Sequence, residues 1–145
     1  MRIGVITSNH TRHRYLANIL AQEHQVALVL AEEKQRDPSA VEGSDSEREL
    51  VRDYFRERAE CERSLLSLGS EWSDTIQQVE PVPAGQINEP EWAERMQAAD
   101  VGLIAVFGSS ILREPWLSAF SKRMVNMHLG LSPYYRGSAT NFWPL

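Results

Sequence analysis

Short apolar runs alternate along the chain with stretches whose apolar residues recur at helical spacing. Apolar residues at i, i+1, i+4 and i+5 mark the first helix, around Tyr15, Leu16, Ile19 and Leu20. The most apolar run, VGLIAVF, is typical of a central strand. The pattern predicts strands at 2–7, 25–30, 75–81, 101–107 and 123–129, and further helices at 47–68, 91–99 and 112–120.

Strands that alternate with helices favour one architecture. A strand, a helix and a second strand occupy the first 30 residues, which is the pattern of a βαβ unit with parallel strands. We therefore expect an α/β fold, a Rossmann-like parallel sheet flanked by helices, over residues 1–145. The polar stretch 32–46 is predicted to be an exposed loop.

Sheets of this kind bind ligands at the carboxyl ends of their strands. Three predicted loops leave the sheet at that edge: residues 8–14, residues 107–112, and the segment from Asn126 onward. A site in this fold is expected to draw its residues from these three loops.

Composition narrows the class of protein. The chain has 145 residues and a net charge of −5, which argues against binding nucleic acid through bulk electrostatics. The single cysteine, Cys61, excludes an internal disulfide framework. No apolar run approaches the roughly 20 residues of a membrane span, and no signal-peptide pattern is present. We expect a cytoplasmic protein that neither binds nucleic acid nor enters a membrane, and the composition fits a small-molecule enzyme and a neutral binding module equally well.

The segment most suggestive of chemistry is NMHLGLSPYYRG, at 126–137. Asn126 and His128 lie two residues apart in a predicted strand, so their side chains are expected on the same face. An amide can hydrogen-bond an oxygen that gains charge in a tetrahedral intermediate, and an imidazole can exchange protons near neutral pH. The pair suits acyl transfer. The turn predicted after it, at 132–137, could close over the site.

The same segment resembles the formyltransferases that use 10-formyltetrahydrofolate. The matching positions are Asn126, His128, Leu131, Pro133, Tyr135, Arg136 and Gly137. The strand, loop and helix at 101–120 are also similar to those that precede the family's asparagine. The resemblance covers about residues 100–145 strongly and the first 30 weakly.

The resemblance implies an activity and a set of roles. The enzyme would transfer a formyl group from 10-formyltetrahydrofolate, its formyl donor, to a primary amine. Asn126 would orient and polarise the formyl oxygen, and His128 would act as general acid and base. The backbone of Ser110, Ile111 and Leu112 would hold the pterin ring.

The acceptor is expected to be an amino sugar or a sugar nucleotide. The first loop holds no glycine, unlike the phosphate loop of glycinamide ribonucleotide formyltransferase, and we expect Ser8, Asn9, Arg12 and Arg136 to bind the acceptor. Four side chains in this loop, including His13, are potentially cationic. The alternative is a solvated helix start capped by Thr11 or Asn9. Two histidines at i, i+3 are poor support for a metal, and no metal site is predicted.

One part of the family pattern is missing. The family's third catalytic residue is an aspartate well beyond the histidine, whereas Leu145 is residue 17 after His128 and the intervening tail holds no carboxylate. We therefore expect the domain to be incomplete at its C-terminus, the chain alone to have little activity, and exposed apolar surface to favour self-association. Two other functions stay open: a non-catalytic α/β binding module derived from a formyltransferase, and a formyltetrahydrofolate hydrolase.

Overall fold

A computed structural model describes residues 1–34, 43–130 and 134. It contains five strands and four α-helices within those residues. In chain order they are β1 (Arg2–Ser8), α1 (Thr11–Glu23), β2 (Gln25–Glu32), α2 (Asp45–Leu65), a 3₁₀ turn (Ser67–Gly69), β3 (Val79–Val82), α3 (Pro90–Ala98), β4 (Leu103–Val106), α4 (Trp116–Ala119) and β5 (Met124–Asn126).

The five strands form one parallel sheet in the order β3-β2-β1-β4-β5. Its middle strand, β1, is buried from Ile3 to Ser8, which explains why its sequence is almost continuously apolar. The chain moves outward from β1 through β2 to β3 and then crosses to β4 on the other side of β1. The order of the strands therefore reverses between β1 and β4.

Helices cover both faces of the sheet. On one face, Trp92 of α3, Trp116 of α4 and Phe120, which follows α4, are buried against β1, β2 and β4. On the other face, α1 packs Ala17 and Leu20 against β1 and β2. The predicted fold class, a Rossmann-like parallel sheet flanked by helices, is confirmed.

Several predicted boundaries are wrong. The helix expected at 112–120 is only Trp116–Ala119, because Pro115 stands at its N-cap and the backbones of Ile111 and Arg113 are hydrogen-bonded to Asn88 instead. The helix expected at 47–68 begins at Asp45, where Ser44 and Glu47 form a capping box, and has no buried residue. The strand expected at 75–81 is Val79–Val82.

The predicted exposed loop at 32–46 is wrong at its first residue. Glu32 is the last residue of β2 and is completely buried. Residues 35–42 of that predicted loop lie outside the described residues. No helix in the described part of the chain is long and apolar enough to cross a membrane.

Candidate functional site

The loops that follow β1, β4 and β5 leave the sheet at the same level. Ile6 of β1 pairs with Val106 of β4, and Val106 pairs with Asn126 of β5, so the three residues form one row across the sheet. The strand order reverses between β1 and β4, which is where ligands bind in open α/β sheets. Within the described residues, the structure thus brings together the starts of the three loops that the sequence predicted.

Asn126 and His128 both lie at this edge and both are exposed. Asn126 is the last residue of β5. The strand is shorter than the predicted 123–129. The N–H of Met127 donates to the carbonyl oxygen of Val106, which is the last residue of β4, so β5 has no strand to pair with beyond that point. The two-residue repeat of a strand therefore applies to Asn126 but does not extend to His128, which stands two residues beyond the strand.

The loop after β4 is fixed at its start and again at Ser110. Thr7 donates its hydroxyl hydrogen to the carbonyl oxygen of Phe107 at 2.7 Å. Ser110 donates its N–H to Glu32 at 2.7 Å. Within the loop, Ile111 is 77% exposed, whereas Leu112 is half-buried and packs against the core. The segment expected to contact a pterin therefore presents one apolar side chain outward and anchors the next one inward.

The first loop is less open than its sequence indicates. Ser8 is completely buried, and its hydroxyl shares a hydrogen bond with Nδ1 of His13. Burial, followed by the positive charge of Arg12 and the nearby His10, lowers the pKa of His13 from 6.5 to about 3. The expectation of a potentially cationic His13 is wrong, since the ring is buried and neutral against Phe107, at 5.0 Å between ring centroids.

The two arginines of α1 are held by neighbouring parts of the chain. Arg12 lies 3.0 Å from Glu62 of α2. Arg14 donates to the Gly69 carbonyl at 2.8 Å and to Oδ1 of Asn9 at 3.0 Å. Asn9 itself is exposed. The side chain of Arg12 is 28% exposed beside its ion pair with Glu62.

The predicted helix cap is wrong as well. The N-cap of α1 is His10, not Asn9 or Thr11, and no side chain caps the helix there. Arg136, the remaining predicted acceptor residue, lies outside the described residues, as do the matching positions Leu131, Pro133, Tyr135 and Gly137. Among the residues that the structure describes, no group of three or more His, Cys, Asp or Glu side chains could hold a metal ion.

Glu32 was not among the predicted site residues, yet its carboxylate links the end of β2 to the loop after β4. Its Oε2 accepts from Nζ of Lys34 at 2.6 Å and from the N–H of Ser110. Burial alone would raise the pKa of this carboxyl, but the hydrogen bonds from Lys34 and Ser110 hold it below its usual value. The signal available in the sequence was the oppositely charged pair Glu32 and Lys34, two residues apart at the end of an apolar strand.

Together these features define a doubly wound α/β protein whose candidate site lies at the strand-order reversal. Among solved structures, the chain is similar to phosphoribosylglycinamide formyltransferase from Anaplasma phagocytophilum, with a TM-score of 0.58 and 16% sequence identity. The match covers 99% of this chain and 57% of that one, so the chain spans little more than half of its length. Searches against protein-family models and curated sequences found no match. The similarity establishes a shared fold with a formyltransferase.

Proposed function

We propose that this domain carries the donor-binding and catalytic edge of an enzyme that transfers a formyl group from 10-formyltetrahydrofolate to a primary amine. The observation that supports it is the position of Asn126 at the end of β5, in one row with Val106, from which the loop 107–112 departs. A fold shared with a formyltransferase adds to this support.

The proposed chemistry assigns a separate step to each group. The amine nitrogen attacks the formyl carbon, a C–N bond forms, and negative charge develops on the formyl oxygen. The Asn126 amide donates a hydrogen bond to that oxygen. His128 takes the proton from the amine and returns it to N10 of the folate as the old C–N bond breaks. The products are a formamide and tetrahydrofolate.

The donor and the acceptor would contact different loops at the carboxyl edge of the sheet. The backbone of Ser110, Ile111 and Leu112 would hold the pterin ring. We propose an amino sugar or sugar nucleotide as acceptor, bound by Asn9, Arg12 and Arg136. Ser8 is buried against His13 and would position the end of β1 rather than touch the acceptor.

The test is an assay for N-formyl product with 10-formyltetrahydrofolate and a panel of amino sugars. It uses the gene product isolated from its source, so that any residues beyond Leu145 are present. We expect Asn126→Ala and His128→Ala each to lower kcat by at least about 100-fold. Met127→Ala, between them and 45% exposed, is the matched control and should stay within about threefold.

Each alternative gives a different result in this assay. Formate release that does not depend on added amine indicates a formyltetrahydrofolate hydrolase. Binding of folate without any turnover indicates a binding module. Formation of N-formyl product that is unaffected by either substitution contradicts the catalytic roles given to Asn126 and His128.

A further inference from the structure

A fully buried carboxylate stands at the carboxyl end of β2. Glu32 pairs in register with Ser8 of β1 on one side and with Val82 of β3 on the other. Removing a carboxylate from water costs several kcal/mol unless its oxygens are matched by donors. The hydrogen-bond donors around Glu32 therefore indicate why a carboxylate is kept at this position.

The donors come from three separate segments of the chain. Oε2 of Glu32 accepts from Lys34 at 2.6 Å and from the N–H of Ser110 at 2.7 Å. Oε1 accepts more weakly from the N–H of Gly85 at 3.3 Å. Lys34 also donates to the hydroxyl oxygen of Ser110 at 3.0 Å. Ser110 is therefore held through both its backbone and its side chain.

A second polar side chain holds the far end of the same loop. Asn88 donates its amide N–H to the carbonyl oxygen of Ile111 at 3.0 Å, and its Oδ1 accepts from the N–H of Arg113 at 2.8 Å. Between these anchors, the N–H groups of Ile111 and Leu112 and the carbonyl of Leu112 make no hydrogen bond within the described residues. Among the described residues, the loop is therefore fixed on both sides of a short stretch of backbone groups without hydrogen bonds.

We infer that Glu32 and Asn88 are positioning residues for the donor. They hold residues 110–113 so that the backbone groups between the two anchors meet the hydrogen-bonding edge of a folate ring. Glu32 and Asn88 act through the loop and do not themselves contact the ligand. This inference rests on the proposed function, because it needs the loop to be the donor site.

The test compares four variants for tetrahydrofolate binding by titration calorimetry, together with the KM values for donor and acceptor. Glu32→Ala removes the acceptor of the Ser110 N–H, and we expect a dissociation constant raised about tenfold, with the acceptor KM within about twofold. Glu32→Gln keeps an oxygen that can accept from Ser110 and should restore most of the affinity. Glu33→Ala, an exposed carboxylate next in the chain, is the control and should bind like the unchanged protein.

Asn88→Ala keeps the test decisive if Glu32→Ala fails to fold. The hydrogen bonds of Asn88 lie at the surface, so its loss should leave the fold intact while raising the dissociation constant several-fold. Equal increases in donor and acceptor KM, or binding unchanged in both Glu32→Ala and Asn88→Ala, would overturn the positioning role while leaving the proposed function standing. An unchanged protein that binds no tetrahydrofolate would refute both.

Discussion

A single methyl group added at Gly108, in the loop after β4, should destabilise the fold. Gly108 has φ +72°, which disfavours any L side chain, and a Cβ there would lie 2.6 Å from Nε2 of His13. The ring has little room to yield, because Ser8 holds its Nδ1 and Phe107 packs edge-on against it. We estimate about 1 kcal/mol for the backbone and about 2 kcal/mol for the overlap, so Gly108→Ala should lower the free energy of unfolding by about 3 kcal/mol.

A matched control separates the two contributions. Gly85 has φ +80°, and a Cβ there would meet nothing within 4 Å. Gly85→Ala should therefore cost only the backbone part, about 1 kcal/mol. Urea unfolding followed by tryptophan fluorescence measures both variants. If the two losses agree within about 0.5 kcal/mol, the contact with His13 contributes nothing and the reasoning fails. If the contact is real, Gly108→Ala and His13→Ala should be strongly non-additive.

Two further predictions concern stability. The folded chain keeps His13 neutral while the unfolded chain takes up a proton near 6.5, so the free energy of unfolding should fall as pH drops from about 6 to 5, by at most about 1.4 kcal/mol per unit. Urea unfolding at several pH values across that range measures the slope. The control His24→Gln, at an exposed site, should keep the slope, whereas His13→Gln should lose it. Asn18 donates to the carbonyls of Leu68 and Glu71 and accepts from the N–H of Ser73, so Asn18→Ala should lower the free energy of unfolding by about 3 kcal/mol. The same measurement on Gln22→Ala, one turn along α1 and exposed, should show a change below about 0.5 kcal/mol, and equal losses would contradict the role of Asn18.

The sequence predicted β1, β2 and β4 well because each of these strands is a local apolar run. Strands β1 and β2 match their predicted positions within two residues. The prediction placed Asn126 at the carboxyl edge for the same reason, since β5 follows β4 in the alternating pattern. These features depend on neighbours in the chain, which a sequence displays directly.

The remaining features depend on partners distant in the chain. Glu32 is buried because Ser110, 78 residues away, supplies an N–H. His13 loses its charge because β4 and its loop close over it. The side chains of α2 repeat with helical spacing, yet none is buried, because periodicity gives a helix its apolar face but does not supply a surface to cover it. No local pattern contains this information.

The central place of β1 has a consequence for the order in which the chain can fold during synthesis. Ile3 pairs with Val26 on one side and with Leu103 on the other, so the second neighbour is made 77 residues after the first. At a ribosomal rate of about 5–20 residues per second, one edge of this apolar strand stays unpaired for roughly 4–15 s. Over that interval β1, β2 and α1 can assemble, while the edge awaiting β4 offers free N–H and C=O groups to other nascent chains. We expect a chaperone that shields this edge to raise the yield of folded protein more than one that acts after release.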